Sequence, residues 1–126
     1  MKQRLGDLQH AIMQVLWRRG EATVSQVHAE LLPERGLAPT TIATMLRKME
    51  DKGVVRHRAH GRQFVYTPAV TRGEVQRSMV GEIVDRLFAG DPAALVSHLV
   101  SEHEIDREEL ERLRGLLAAR SHGEEP

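Results

Sequence analysis

Apolar residues recur at helical spacing in three segments of the first half of the chain, and helix-capping residues stand at the ends of these segments. The predicted helices are Asp7 to Arg19, stopped by Gly20; Thr23 onward, ended by Pro33 with Gly36; and Pro39 to about Lys52, stopped by Gly53. Thr23 and Gln26 fit a capping box, and Pro39 suits the first position of a helix. The first half is therefore predicted to open with three short helices.

The period of the pattern then changes from helical to alternating. Two short β-prone runs, Val54–Ala59 and Arg62–Thr67, flank His60 and Gly61, which is a hairpin signal. Gly61 supplies the positive φ that a tight turn requires. The predicted order is helix, helix, helix, hairpin.

The chain is predicted to be helical again after Pro68. Helices are expected to begin at a capping box formed by Thr71 and Glu74, at Asp91 and at Asp106. Three amphipathic helices of this size have little core to share with a compact hairpin-bearing unit, so their apolar faces are predicted to pack against a second copy rather than fold back on one chain. The predicted dimerisation residues are Val75, Met79, Ile83, Leu87, Phe88, Leu95, Leu99, Leu110, Leu113 and Leu117.

The composition fits one domain, or one small domain with an appendage, since the chain has 126 residues, 40% hydrophobic and 29% charged. Aromatic residues make up 3%, so an aliphatic core is expected. The absence of cysteine excludes disulfides, thiolate metal sites and a cysteine nucleophile. No stretch approaches the roughly 20 apolar residues of a transmembrane helix, and no signal-peptide region follows Met1. No membrane insertion is expected, and the default compartment is the cytoplasm.

The formal net charge of zero conceals an asymmetry between the two halves of the chain. Residues 1–68 hold eleven Lys and Arg against six Asp and Glu, whereas residues 69–126 hold seven against twelve. The segment from Arg47 to Arg62, both included, contains six Lys and Arg residues and two acidic residues. Such a division suggests that the first half meets a polyanion.

Motifs of enzymes are missing from the sequence, which has no phosphate-binding glycine loop, nucleophile elbow or zincin pattern. His98 and His103 are five residues apart, so they do not share a helix face as a zinc pair would. An enzyme is therefore the least favoured class. No cofactor and no metal site is predicted within one chain, and a metal site formed across a dimer stays open.

The third predicted helix has the composition of a helix that enters the major groove of DNA. Its polar side chains lie opposite its apolar ones, and the hairpin beside it carries further arginines. The side chains predicted to read base edges are Thr40, Thr44 and Arg47. Those predicted to contact phosphates are Thr41, Lys48, Arg58 and Arg62.

The predicted fold class is accordingly mainly α with a small β-hairpin. We expect a winged helix-turn-helix DNA-binding domain over residues 1–69, a C-terminal three-helix dimerisation region over residues 70–120, and a frayed tail over residues 121–126. The alternative from another class is a winged-helix protein-interaction module, whose basic face would bind an acidic protein surface.

A series of short segments resembles the penicillinase-repressor family of winged-helix transcriptional repressors (BlaI/MecI/CopY), over roughly residues 4–118. The segments are Leu5-Gly6-Asp7-Leu8, Val15-Leu16-Trp17, Ala22-Thr23-Val24, Val27-His28, Thr40-Thr41-Ile42, Leu46, Lys52-Gly53-Val54-Val55-Arg56, Tyr66-Thr67-Pro68, Leu87-Phe88-Ala89-Gly90-Asp91-Pro92 and Leu95-Val96. Their order and spacing together carry the resemblance.

The resemblance implies a homodimeric repressor on a palindromic operator of TACA/TGTA half-sites, acting on genes for β-lactam resistance or, in a copper branch, for copper homeostasis. In the β-lactam branch it also implies a membrane sensor-protease and cleavage of the repressor in its dimerisation region. By position, the cut would fall near His98 and Leu99, although the local sequence Ser97-His98-Leu99-Val100 differs from that of cleaved relatives.

Two departures from the family pattern change what is expected. The copper branch uses a Cys-x-Cys motif, which this cysteine-free chain lacks, so thiolate copper sensing is excluded. A cysteine-free metal- or stress-responsive repressor related to that branch stays an alternative. In addition, Ala38 precedes Pro39 where relatives tend to carry a polar cap. The loss of a side-chain cap costs about 1 kcal/mol of helix stability. Operator preference is expected to differ accordingly.

Overall fold

The structure is a computed structural model that describes residues 5–123, with side chains described as far as Ser121. Its elements in chain order are α1 (Asp7–Arg19), β1 (Ala22–Thr23), α2 (Val24–Arg35), α3 (Pro39–Lys52), β2 (Val55–His60), β3 (Gln63–Pro68), α4 (Arg72–Leu87), α5 (Pro92–Glu102) and α6 (Arg107–Gly123). The mainly helical class with a small antiparallel sheet is confirmed. The chain divides into two compact units, one up to Glu82 and one from Ile83 onward.

The core of the N-terminal unit is aliphatic, as the low aromatic content predicts. It gathers the apolar faces of α1, α2 and α3 against the sheet, with side chains that are at most 1% exposed, including Ile12, Leu16, Val27, Leu46 and Val54. Burying side chains of this kind contributes about 1.5–3 kcal/mol each, before the opposing cost of ordering the chain. This core fixes the position of α3, the helix predicted to contact DNA.

The ends of the first helices follow local sequence signals, with two differences from expectation. The capping box of α2 is confirmed, because the Thr23 hydroxyl accepts from the Gln26 backbone N–H at 3.2 Å and the Gln26 side chain accepts from the Thr23 N–H at 2.9 Å. The N-cap of α1 is Gly6 rather than Asp7. Pro33 does not end α2, which continues to Arg35 and ends at a left-handed Gly36. Pro33 removes one backbone N–H bond near the end of this helix without ending it.

The hairpin, called the wing below, is formed by β2 and β3. Its two-residue loop is Gly61-Arg62, one position later than predicted, with His60 paired to Gln63. When the turn moves by one residue, each residue of β2 pairs with a residue of β3 two positions further along. Because side chains alternate between the two faces with a period of two, residues that share a face in the predicted hairpin still share one. Gly61 adopts φ +65, the positive value for which glycine was predicted.

A third strand lies at the edge of the sheet and was not predicted. β1 pairs antiparallel with β3, through Ala22 with Tyr66 and Thr23 with Val65, so that the strand order is β1-β3-β2. Two residues are too short to produce an alternating pattern, and only the tertiary contact reveals the strand. Its consequence is that the wing is tied directly to the start of α2.

Trp17 anchors the segment that follows the wing. Its indole N–H donates to the carbonyl of Val70 at 2.9 Å, and the guanidinium of Arg72 lies 4.9 Å from the ring centroid, within reach of a cation–π contact. The side chain is half-buried and packs against the core. Trp17 therefore holds the chain in place where α4 begins.

The capping box predicted at Thr71 is present, and the last helix has a second one that was not predicted. The Thr71 hydroxyl accepts from the Glu74 N–H at 3.0 Å while the Glu74 carboxylate accepts from the Thr71 N–H at 2.8 Å. Asp106 and Glu109 form the same reciprocal pair before α6. The first of these boxes fixes the start of α4 and hence the position of Val75.

Val75 is a correction to the set of predicted dimerisation residues. It is only 2% exposed and belongs to the core of the N-terminal unit, and Met79 packs against the same core. The first turns of α4 therefore use their apolar face within the chain. The reason is that the predicted apolar stripe continues without a break from the N-terminal unit into the next one. Periodicity shows which side chains form the apolar face, but not whether the same chain or a second copy covers them.

The C-terminal unit has a different character from the N-terminal one. Among its residues 83–121, whose side chains are described, none is fully buried. α6 extends through Gly123, so the predicted frayed tail is helical at its start, and residues 124–126 lie outside the described residues. None of the described helices is long and apolar enough to cross a membrane.

Candidate nucleic-acid interface

α3 separates its side chains onto two faces. Ile42, Leu46 and Met49 are at most 1% exposed, whereas every predicted DNA contact of this helix is exposed. We call this exposed set the reading face: Thr40, Thr41, Thr44, Arg47 and Lys48. Apart from Arg47, these residues surround a shallow depression of about 280 Å³ together with Met45. The structure thus brings together the predicted base-reading and phosphate-contacting residues of the helix.

The start of α3 is positioned by contacts from the preceding turn. The His28 ring donates through Nε2 to the carbonyl of Leu37 at 2.8 Å. Ala38 is the N-cap and provides no side-chain hydrogen bond, as the sequence predicts, while its carbonyl accepts from the N–H of Thr41 at 3.0 Å. The first backbone N–H groups of the helix and its positive dipole end therefore lie beside Thr40 and Thr41, which suits a phosphate contact.

The two predicted wing arginines lie in different surroundings. Arg58 on β2 donates to the Glu21 carboxylate at 3.2 Å, and both side chains are about half exposed. Such a pair is weak in water, so a phosphate can replace Glu21 at small cost. Arg62 stands in the loop of the wing and shares a groove with Arg47 of α3. The structure therefore joins Arg62, and not Arg58, to the reading face.

The groove between α3 and the wing contains residues that were not predicted as site residues. We call it the wing groove and define it by Arg47, Glu50, His57, Arg62, Phe64 and Tyr66; the start of α2 also contributes to its lining. Its volume is about 550 Å³. An alternating strand pattern places Phe64 and Tyr66 on one face, and the hairpin register then adds His57 opposite Tyr66. That signal was available once the turn was located.

The chemistry of the wing groove is set by the hydrogen-bonded pair of Glu50 and His57 and by three rings. Nδ1 of His57 lies 2.6 and 2.8 Å from the two oxygens of the Glu50 carboxylate. The His57 ring stacks on Phe64 with centroids 4.2 Å apart and planes at 26°. Burial, and next the negative charge of Glu50, raise the pKa of the Tyr66 phenol above its ordinary value. The groove therefore has an apolar floor with charged groups at its edges.

The described residues contain no group of three or more His, Asp or Glu that would hold a metal ion. His98 lies on α5, where its ring contacts Phe88 with centroids 5.8 Å apart. His98 and Leu99, the predicted cleavage position, are both exposed in that helix.

The geometry of the N-terminal unit defines a class of protein. Three helices closed by a β-hairpin, with a polar and basic face on the third helix, form a winged helix-turn-helix unit. Proteins of this class present the third helix to a ligand and use the hairpin as a second contact.

Comparison with known proteins places the chain within that class. The family model described as penicillinase repressor matches residues 5–119. The transcriptional regulator BlaI of Mycobacterium tuberculosis is 36% identical over 127 residues, which cover 98% of this chain and 91% of that protein. The solution structure of the DNA-binding domain of the repressor BlaI has a TM-score of 0.52 and 33% identity, covering 59% of this chain and 93% of that one.

A second solved structure, of Bacillus licheniformis BlaI in its monomeric form in complex with the blaP half-operator, has a TM-score of 0.51 and 31% identity. It covers 59% of this chain and 90% of that one. The chain belongs to the penicillinase-repressor family and is a transcriptional repressor of that family. This confirms the resemblance carried by the sequence segments, and the named relatives are regulators rather than enzymes.

Proposed function

We propose that the chain is a homodimeric, sequence-specific repressor that binds a palindromic double-stranded DNA operator of TACA/TGTA half-sites at genes of the β-lactam-resistance type. The observation that carries the DNA-binding part is the reading face. Thr40, Thr44 and Arg47 are exposed on a helix whose opposite face is fully buried. They are free to meet base edges without disturbing the core. The solved half-operator complex of a relative supports DNA as the partner.

The role of each residue follows from its chemistry. A guanidinium forms two hydrogen bonds to guanine, at O6 and N7, and a threonine methyl contacts the thymine methyl. Arg47, Thr40 and Thr44 therefore read the base sequence. Thr41 and Lys48 contact phosphates at the side of the helix, and Arg62 does so from the wing. Arg58 joins them after exchanging its Glu21 partner for a phosphate.

The dimer part of the proposal is supported by the exposed apolar side chains of the C-terminal unit. Ile83 and Leu87 of α4, Leu99 of α5, and Leu110, Leu113 and Leu117 of α6 are between 40% and 72% exposed. Phe88 and Leu95 are half-buried. A monomer rarely leaves so many large apolar side chains in water, and a second copy would cover them. We place the dimer contacts on these residues and not on Val75.

Release from the operator is proposed to follow loss of the dimer, by proteolysis of the C-terminal unit near His98 and Leu99 by a membrane sensor-protease. Both residues are exposed but helical, so α5 must open locally before a protease can bind it in extended form. A cleaved C-terminal unit no longer links two reading faces, and the affinity for a two-part operator falls.

Binding of the full chain to the DNA upstream of its own gene tests the proposal. A gel shift followed by footprinting is expected to find a protected palindrome, bound about a thousandfold or more tightly than random DNA at moderate salt. Binding that stays weak and indifferent to sequence would contradict the proposal. Tight binding to an acidic protein with no affinity for any duplex would instead favour the protein-interaction alternative.

A further inference from the structure

The wing groove has features that contact with a DNA backbone does not require. Its floor is formed by aromatic rings, and Phe64 is 49% exposed although His57 already covers one face of the ring. The remaining surface of the ring is open to a second planar group, which aromatic rings prefer as an offset-stacked or edge contact. A sugar-phosphate backbone is polar and charged and gains little from such a floor.

The size and the charges of the groove fit a small organic anion. A volume of about 550 Å³ lies within the roughly 300–1,000 Å³ that is usual for small-molecule sites. Glu50, the acid of the groove, is engaged by His57 through both carboxylate oxygens. Arg47 and Arg62 are exposed residues at its edge, and a guanidinium binds a carboxylate through two parallel hydrogen bonds.

We propose that the wing groove binds a small planar aromatic anion, whose ring stacks on Phe64 and whose acid group meets Arg47 and Arg62. The regulatory consequence rests on the proposed function. Because Arg47 and Arg62 are also the proposed DNA contacts, ligand and operator exclude each other. The ligand is then an inducer that releases the repressor without cutting the chain.

Titration of the full chain with 2-naphthoate, followed by the amide resonances of residues 57–66, tests the site without DNA. The expected result is saturable shifts confined to the wing and to α3, with a dissociation constant of about 1 mM or lower. Naphthalene-2-carboxamide, which lacks the charge, and cyclohexanecarboxylate, which lacks the aromatic ring, are each expected to bind about tenfold more weakly or worse.

Two variants with matched exposure locate the site. Phe64→Ala is expected to weaken 2-naphthoate binding about tenfold, whereas Leu32→Ala, which truncates an equally exposed side chain outside the groove, leaves it unchanged. An unchanged amide spectrum for the rest of each variant shows that it has folded. The absence of saturable binding to wild-type chain, or equal binding by both variants, overturns the proposal.

Competition with DNA is measured separately. Saturating 2-naphthoate is expected to weaken binding of the footprinted operator about tenfold or more, and it has no such effect on Phe64→Ala. Ligand binding in the groove without competition contradicts the inducer role. A chain that binds 2-naphthoate but no operator contradicts the proposed function and leaves the ligand site standing.

Discussion

Neighbouring residues of α3 have opposite roles, because successive side chains of a helix point about 100° apart. Leu46 is completely buried in the core on which the helix packs. Arg47, one position later, is exposed on the reading face and lines the wing groove. A substitution at one position therefore tests the fold, and a substitution at the next tests recognition. This separation permits sharp predictions at the scale of single residues.

Arg47→Ala is expected to weaken operator binding by about 1–3 kcal/mol and to relax specificity at one base position, because a bidentate contact to guanine is lost. Fluorescence anisotropy with operator and scrambled duplexes measures the effect. Arg62→Ala is the control, because removing a phosphate contact weakens both duplexes alike and lowers the salt slope by about 1. An equal loss on both duplexes for Arg47→Ala would contradict its reading role.

Leu46→Ala is expected to lower the free energy of unfolding by about 2–5 kcal/mol, because it leaves a cavity in a fully buried site. Thr44→Ala, on the exposed face of the same helix, is expected to change stability by no more than about 0.5 kcal/mol. Urea denaturation compares the two variants. Similar losses for both would show that the two faces of α3 are wrongly assigned.

At the scale of elements, the parts that could be predicted are those determined by neighbouring residues. Pro39 and Gly53 mark the ends of α3, and the capping boxes at Thr23 and Thr71 mark the starts of two other helices. The reading face follows from helical periodicity within α3. These features need no information from distant parts of the chain.

The features that escaped prediction depend on contacts between distant segments. β1 exists only through its pairing with Tyr66 and Val65, and the burial of Val75 depends on the core that α4 meets. The Glu50–His57 pair joins a helix to a strand, so the wing groove emerges only when both are positioned. For the same reason, the partner of Arg58 could not be anticipated from its place in the hairpin.

The turn of the wing depends on backbone conformation at one position. Gly61→Ala is expected to cost about 1–2 kcal/mol in urea denaturation, because φ is +65 and an added Cβ meets nothing within 4 Å, so the cost comes from the backbone alone. Gly61→Asn is the matched comparison and should cost less, since asparagine tolerates positive φ. Equal stability of the alanine variant and wild type would rule out this strain.

An ion pair between α1 and α2 predicts a pH effect. Hydrogen bonds from Arg18 and Arg19 lower the pKa of Glu30 below its ordinary value of 4.5. The folded chain therefore releases this proton more readily than the unfolded chain, so the stabilisation is present above pH 4.5 and is lost as the pH falls through the lower folded-state pKa.

Glu30→Gln should remove this contribution, which is expected to be about 1 kcal/mol or less because the pair is partly exposed. The difference in unfolding free energy between wild type and variant is measured by urea denaturation between pH 7 and pH 3. It should shrink as the pH is lowered. A difference that grows on acidification would contradict the sign of this coupling.

At the scale of the whole molecule, the proposed function requires two copies of the chain. Leu113→Asp places a charge on an apolar side chain that is 40% exposed on α6, and it is expected to convert dimers to monomers. Leu32→Asp makes the same change at an exposed leucine of the N-terminal unit and should leave the dimer intact. Sedimentation velocity distinguishes the outcomes, and a wild-type mass for Leu113→Asp would place the interface elsewhere.

In the proposed dimer, two linked reading faces raise the affinity for a two-part site, since the second contact becomes intramolecular. The most direct test is sedimentation equilibrium of the full chain with its footprinted palindrome and with a duplex in which one half is scrambled. We expect two chains of 14.2 kDa on the palindrome and a loss of about a hundredfold in affinity on the scrambled duplex. One chain per duplex, bound equally well to both, would contradict it.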